Sequence, residues 1–320
     1  MRHHVLMRRP PKVSMFPVLV AGAVLVAGCG GDAGDTGGGA GPGGDTGGSG
    51  EVPSAAPTPH PDAAVTTRSP ATVLDDGDGA ELCLGAIAES YPPQCGGPRL
   101  ADWDWAAHEG EYEEAAGVRW GEFVVVGTYD GEEFTVEEVT PASEWDGEPP
   151  ENGTDLSTPC AEPDGGWQVR DPALTTDETL QEVLAVAADL DGYAGSWLDQ
   201  SINPAHGSDD PDEVEAAMND PRQLVVNVLV TGETGAAEEQ LREVWGGALC
   251  VLEAEHSHAD LEAAQQQLSE IEGYQSAGIS VAENHVGLSV IYDDGTLQQQ
   301  LDDALGEGVV EVSSVLVPAR

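Results

Sequence analysis

The sequence predicts an α+β chain. A small β-barrel or sandwich domain is followed by two αββαβ repeats whose helices pack on antiparallel or mixed sheets. Three observations carry this reading. Phe123–Tyr129 and Phe134–Val139 flank Asp130-Gly131, the pattern of a hairpin. Apolar residues recur at helical spacing after residues 175 and 257, each time followed by strand-like runs. Finally, 176–255 and 257–320 align with one another over most of their length.

Arg2, Arg8, Arg9 and Lys12 precede the apolar run Phe16–Gly28, which leads directly into Cys29. A basic stretch of this kind stays cytoplasmic while the apolar segment inserts. At 13 residues the run is too short to span a bilayer as a permanent helix. Val26-Ala27-Gly28-Cys29 resembles the lipobox of bacterial lipoproteins, here of an actinobacterial kind. The resemblance implies a signal peptide over 1–28 and a diacylglyceryl anchor on Cys29. It places the protein on the outer face of the cell membrane, with the membrane itself as a partner through that anchor. A plain secretory signal is the rival reading.

Removing residues 1–28 takes four of the eleven Lys+Arg and none of the 59 Asp+Glu, so seven cations face 59 anions and the net charge is −52. Lys12 is the only lysine. Nucleic acid is excluded as a partner, because binding it requires cations to displace phosphate counterions. Anionic headgroups are repelled as well, so the acyl anchor acts without a basic patch. Solubility explains the acidity, and a cation-binding surface is the sharper alternative. Residues 29–71, nearly all Gly, Asp, Thr, Ser, Pro and Ala after the cysteine, read as a disordered tether. As a coil it reaches roughly 35–40 Å.

The remaining cysteines are Cys83, Cys95, Cys160 and Cys250. An even number in an exported chain favours two disulfides, with three pairings open. Cys83 and Cys95 flank the turn-rich Tyr91–Gln94 and are paired locally, which leaves Cys160 for Cys250. No C-x-x-C spacing suggests a metal.

The small β domain is expected over 72–145. Leu82–Ile87 and Leu100–Trp105 read as further strands, the latter with Trp103 and Trp105 on one face. Aromatic faces stack on sugars, so these two tryptophans are candidate glycan-binding residues; core packing is the plainer role. A linker is expected over 146–174.

The first repeat is expected over 175–256. Thr175 and Glu178 suggest a capping box, followed by Leu180, Val183, Leu184, Ala187 and Leu190 along one helix face. The second, over 257–320, opens with Ser257 and Asp260 before Leu261, Ala264, Leu268 and Ile271. Leu190–Tyr193 aligns with Ile271–Tyr274 at an offset of 81, whereas Val226, Val228 and Val230 align with Val286, Leu288 and Val290 at an offset of 60. That smaller offset is expected to hold without a gap to the last strand. The difference is the length of 201–221, read as an acidic loop inserted in the first copy. Its Asp209, Asp210, Asp212 and Glu213 are candidate binding residues.

Tyr193–Asp199, Leu224–Val228 and His256–Gln265 resemble the pro-region of secreted α-lytic/streptogrisin-type serine proteases. That pro-region also has two related α/β lobes and acts as folding template and inhibitor of its protease. The resemblance implies such a role in trans; no G-D-S-G-G segment is present. Gly278–Val281, Val286–Val290 and Val309–Val317 are similar to a BON-type envelope module.

Neither a G-x-S-x-G turn nor a phosphate loop at a strand-to-helix junction occurs, and no cofactor is expected. His256 and His258, near Glu253 and Glu255, read as capping-turn residues rather than metal ligands. The function expected is non-catalytic binding at the cell envelope, with an envelope or secreted protein as partner. The alternatives are a protease-directed inhibitor or chaperone and a cation- or glycan-binding lipoprotein.

Overall fold

A computed structural model describes residues 50–148, 153–218 and 220–319. The expected signal peptide, Cys29 and the tether as far as residue 49 lie outside them. The first sheet is built from β1 (Val65–Thr67), β2 (Ala71–Asp75), β3 (Ala80–Leu82), β4 (Arg99–Ala101), β5 (Glu113–Ala115), β6 (Val118–Tyr129) and β7 (Glu133–Pro141). Pairing runs β6–β2–β3–β4–β7 and returns from β7 to β6, so the strands close into a five-stranded barrel. Only β4–β7 is parallel within this ring. Of the two alternatives, sandwich and barrel, the barrel is the one observed.

Strand β6 alternates as a half-buried strand must, with Phe123, Val125 and Tyr129 inward. Its register shifts between Val126 and Gly127. A Cβ at Gly127 would collide with the Thr135 carbonyl, so only glycine lets the two strands approach at this bend. The Asp130-Gly131 hairpin forms as expected: Asp130 Oδ1 accepts from the N–H groups of Glu132 and Glu133 at 2.9 and 2.8 Å.

Three expectations need correction here. The tether does not extend to residue 71, because Val65 is buried and β1 pairs with β6. Upstream, Ala56 N–H donates to the Glu272 carbonyl and Glu272 N–H to that of Ser54. Val52, Ala56 and Val65 supply apolar anchors that the preceding glycine-rich stretch lacks. Strand β3 ends at Leu82 rather than Ile87, since the chain enters the Cys83–Cys95 loop. Strand β4 ends at Ala101, where Asp102 turns the backbone at φ 63° and Asp104 caps a 3₁₀ turn over Trp105–His108.

The second half follows the expected order. The first lobe comprises α1 (Asp177–Ala188), β8 (Tyr193–Asp199), α2 (Pro211–Ala217), β9 (Val225–Val230), α3 (Thr234–Val244) and β10 (Ala248–Glu253). The second comprises α4 (His258–Leu268), β11 (Tyr274–Ser280), β12 (His285–Val290), α5 (Thr296–Leu305) and β13 (Val310–Ser314). Each sheet has an antiparallel pair and a parallel pair, in the orders β8-β9-β10 and β11-β12-β13. A final strand, β14 (Leu316–Pro318), leaves the second lobe and pairs with β1 on the barrel.

The registers of the lobes match closely. Trp197 faces Asn227 as Gly278 faces Gly287, and both pairs follow a bulge one residue after the equivalent tyrosines, Tyr193 and Tyr274. In the last strand, however, Val226 faces Leu249 while Val286 faces Val310. The offset there is 61 rather than 60, because the turn through Gly306–Val309 is one residue longer. The cap of α1 also differs from expectation: Thr176 is the N-cap and exchanges bonds with Thr179. Thr175 is buried instead, its hydroxyl donating to the Asp171 carbonyl at 2.7 Å. Ser257 caps α4 as expected, accepting from Asp260 N–H at 3.2 Å.

One contrast between the lobes positions the site. All six residues of β9 are buried, whereas β12 alternates buried and half-buried. Val226, Val228 and Val230 face the helices, so Val225, Asn227 and Leu229 must be covered from the other side. The residues covering them include Cys160 and Trp167, from the segment expected to be a linker, and Ile202 from the insert. Val281 and Ala282 of the β11–β12 hairpin cover Ala194, Trp197 and Leu229.

Candidate functional site

The expected linker acts as a strap across the open face of the first lobe. Cys160 is disulfide-bonded to Cys250 of β10, and Cys83 to Cys95, both as expected. Two disulfides fit a chain that folds in an oxidising, extracytoplasmic compartment. Trp197 Nε1–H donates to the Leu156 carbonyl at 2.9 Å, fixing the strap over β8. Asp199, 4% exposed at the end of β8, takes Thr158 N–H on Oδ2 and Ser201 N–H on Oδ1, each at 2.7 Å. Burial opposes its ionisation, but these hydrogen bonds outweigh it and hold the carboxyl below its ordinary pKa.

The insert 201–221 is not a plain loop. Pro211 and the N-cap Asp210 start α2, with Asp210 accepting from Asp212 N–H at 3.0 Å. Buried Asn203 braces the two ends of the insert: its Nδ2 donates to the Ala217 carbonyl at 2.7 Å, and its Oδ1 accepts from Ala205 N–H at 2.9 Å.

Strap, β8 and insert enclose a cavity of about 450 Å³. Leu156, Leu198, Ala205, Val214 and Met218 give it apolar walls, and Asp155, Asp199 and His206 supply polar groups. Leu156 and Met218 are 49% and 54% exposed, two of the four large hydrophobic side chains exposed among the described residues. Their position at a concavity distinguishes them from scattered surface apolar residues.

The sequence candidates are distributed differently. Asp209 and Asp210 lie exposed just before α2 and Asp212 and Glu213 exposed in its first turn, none of them in the cavity lining. Asp210 is spent on the cap, and Glu213 accepts from the Ser208 hydroxyl at 2.9 Å. Trp103 and Trp105 do not share a strand face. They pack edge-to-face at 5.3 Å, and Trp103 also stacks on His108 and contacts Phe123. Trp105 donates to Asp75 Oδ2 at 2.9 Å and is buried. Both are therefore part of the barrel core, because a small barrel must fill its interior with side chains.

His256 and His258 remain apart in role. The His256 backbone is held by Asn284, which accepts from its N–H at 2.9 Å and donates to its carbonyl at 2.8 Å. His258 lies 3.7 Å from Glu262 on the first turn of α4. Among the described residues, no group of three or more His, Cys, Asp and Glu is placed to hold a metal ion. Nor is any helix among them long and apolar enough to cross a membrane.

Leu156, Asp199 and Asn203 were missed as site residues. Asp199-x-Ser201 matches a turn in which an aspartate accepts from the N–H two residues on, and that signal was available. Leu156 had none, because the strap lacks strand or helix periodicity. Comparison of the chain with protein families matches no family model, and no curated protein matches it significantly.

Proposed function

We propose that the protein is a lipid-anchored extracytoplasmic binding module of the cell envelope, held on the outer face of the membrane through Cys29. Its partner docks an apolar group into the cavity between strap and insert. The observation that carries this reading is the cavity itself, apolar within, flanked by two exposed hydrophobic side chains and bordered by an acidic helix. A partner with an apolar residue among basic ones fits both features. Asp199 is the one acidic or basic side chain buried among the described residues, and both its oxygens already accept backbone N–H groups. It serves to hold the strap rather than to move protons, which favours binding over catalysis.

A second reading, inhibition or chaperoning of a secreted serine protease in trans, draws support from the two lobes of like register, as the pro-region resemblance implies. The anchor is tested by feeding an alkyne fatty acid to expressing cells. The wild-type chain is expected to incorporate it and sediment with membranes, whereas Cys29→Ala incorporates none and is released. Equal labelling of the two proteins would overturn the anchor.

A further inference from the structure

The other two exposed large hydrophobics, Ile87 (42%) and Tyr91 (74%), also occur together, on the loop tied by Cys83–Cys95. This loop stands over the outer surface of β5, β6 and β2 and walls an open groove of about 740 Å³, far from the strap in sequence. Trp120 on β6 forms part of its floor, with Glu113 of β5 and Leu74 of β2 directly opposite across the strands. The Tyr91 ring meets Trp120 at right angles, 5.3 Å between centroids.

The ionisable lining other than Tyr112 is of one sign. Glu89, Glu111, Glu113 and Glu122 line the groove, and no Lys, Arg or His does. Glu113 and Glu111 accept from the Tyr91 and Ser143 hydroxyls at 3.3 and 2.8 Å, contacts that leave their charge uncompensated. The nearest arginine in sequence, Arg119, is engaged by Glu114 at 2.7 Å. Exposed aromatic and aliphatic surface among unbalanced carboxylates matches one side-chain class. Lysine lays an alkyl stem on apolar surface and brings a cation to aromatic faces and carboxylates.

We propose that the groove over Trp120 docks a lysine-bearing segment of a partner polypeptide. A second copy of the chain is a poor source, since no lysine occurs after Lys12. An anionic lipid surface is repelled by the same four carboxylates.

The test is calorimetric titration of the full chain, disulfides formed, with an N-acetylated, C-amidated trilysine peptide and with its ε-acetylated counterpart. The trilysine peptide is expected to saturate one site, and acetylation to weaken binding about tenfold or more through loss of the cation. Tyr91→Ala and Glu122→Gln change exposed side chains and are expected each to weaken binding about two- to fivefold with the melting temperature unchanged. Equal affinity for the two peptides would overturn the proposal. So would native affinity in both variants, which marks diffuse attraction to an acidic surface.

Discussion

Asp199 uses both carboxylate oxygens at once, one for Thr158 N–H and one for Ser201 N–H. An amide has a single acceptor oxygen, so Asp199→Asn must set one backbone N–H against an NH₂ group. A loss of about 1–3 kcal/mol in urea unfolding is expected. The pH dependence has a definite sign. The folded-state pKa of Asp199 lies below its ordinary value, so its stabilisation is present above about pH 4 and lost as the pH falls through the folded pKa. The variant should therefore show a shallower acid limb than the wild type. Trp103 gives a different kind of prediction. As a core side chain touching Trp105, His108 and Phe123, its replacement by Ala should cost about 3 kcal/mol or more. A sugar platform on the surface would leave thermal stability nearly unchanged.

Segments that carry a period were legible as elements, and those that do not were misread. The stripe Leu261, Ala264, Leu268 located α4, and Ser257-x-x-Asp260 located its start. At α1 two adjacent threonines compete for the cap, and the choice of Thr176 over Thr175 depends on Thr175 being buried against Asp171. Strand β1 is three residues long, and its partners β6 and β14 lie far along the chain, so local composition read it as tether. The strap was equally silent, because a disulfide and two tryptophans hold it rather than a repeated pattern.

Two measurements separate these readings. Val65→Asp places a carboxylate at a position 1% exposed and should destabilise by more than about 2 kcal/mol, whereas a tether residue would tolerate it. Replacing Cys160 and Cys250 together by Ala opens a loop of sequence separation 90 and should cost about 4 kcal/mol. It should also raise hydrogen exchange around Val225, the residue of β9 that the strap covers.

At the scale of the molecule, one charge sign dominates: seven arginines face 59 carboxylates after residue 28. Repulsion among them opposes compaction, so the melting temperature should rise as salt is raised from about 0.01 to 0.5 M, where the screening length shrinks several-fold. On the proposed reading, the same field attracts a basic partner from a distance but does not choose where it docks. Shape would choose: among the described residues, the four exposed large hydrophobics are divided between the strap cavity and the disulfide-tied loop that walls the barrel groove.

The proposed binding function is tested most directly in living cells by a photo-crosslinking residue at the cavity mouth, Met218→p-benzoylphenylalanine, compared with the same residue at exposed Glu137 on the barrel. A discrete adduct with one envelope protein is predicted from position 218 alone, lost when Leu156→Glu places a charge in the cavity wall. Identical adducts from both positions, or none that respond to Leu156→Glu, would contradict the account.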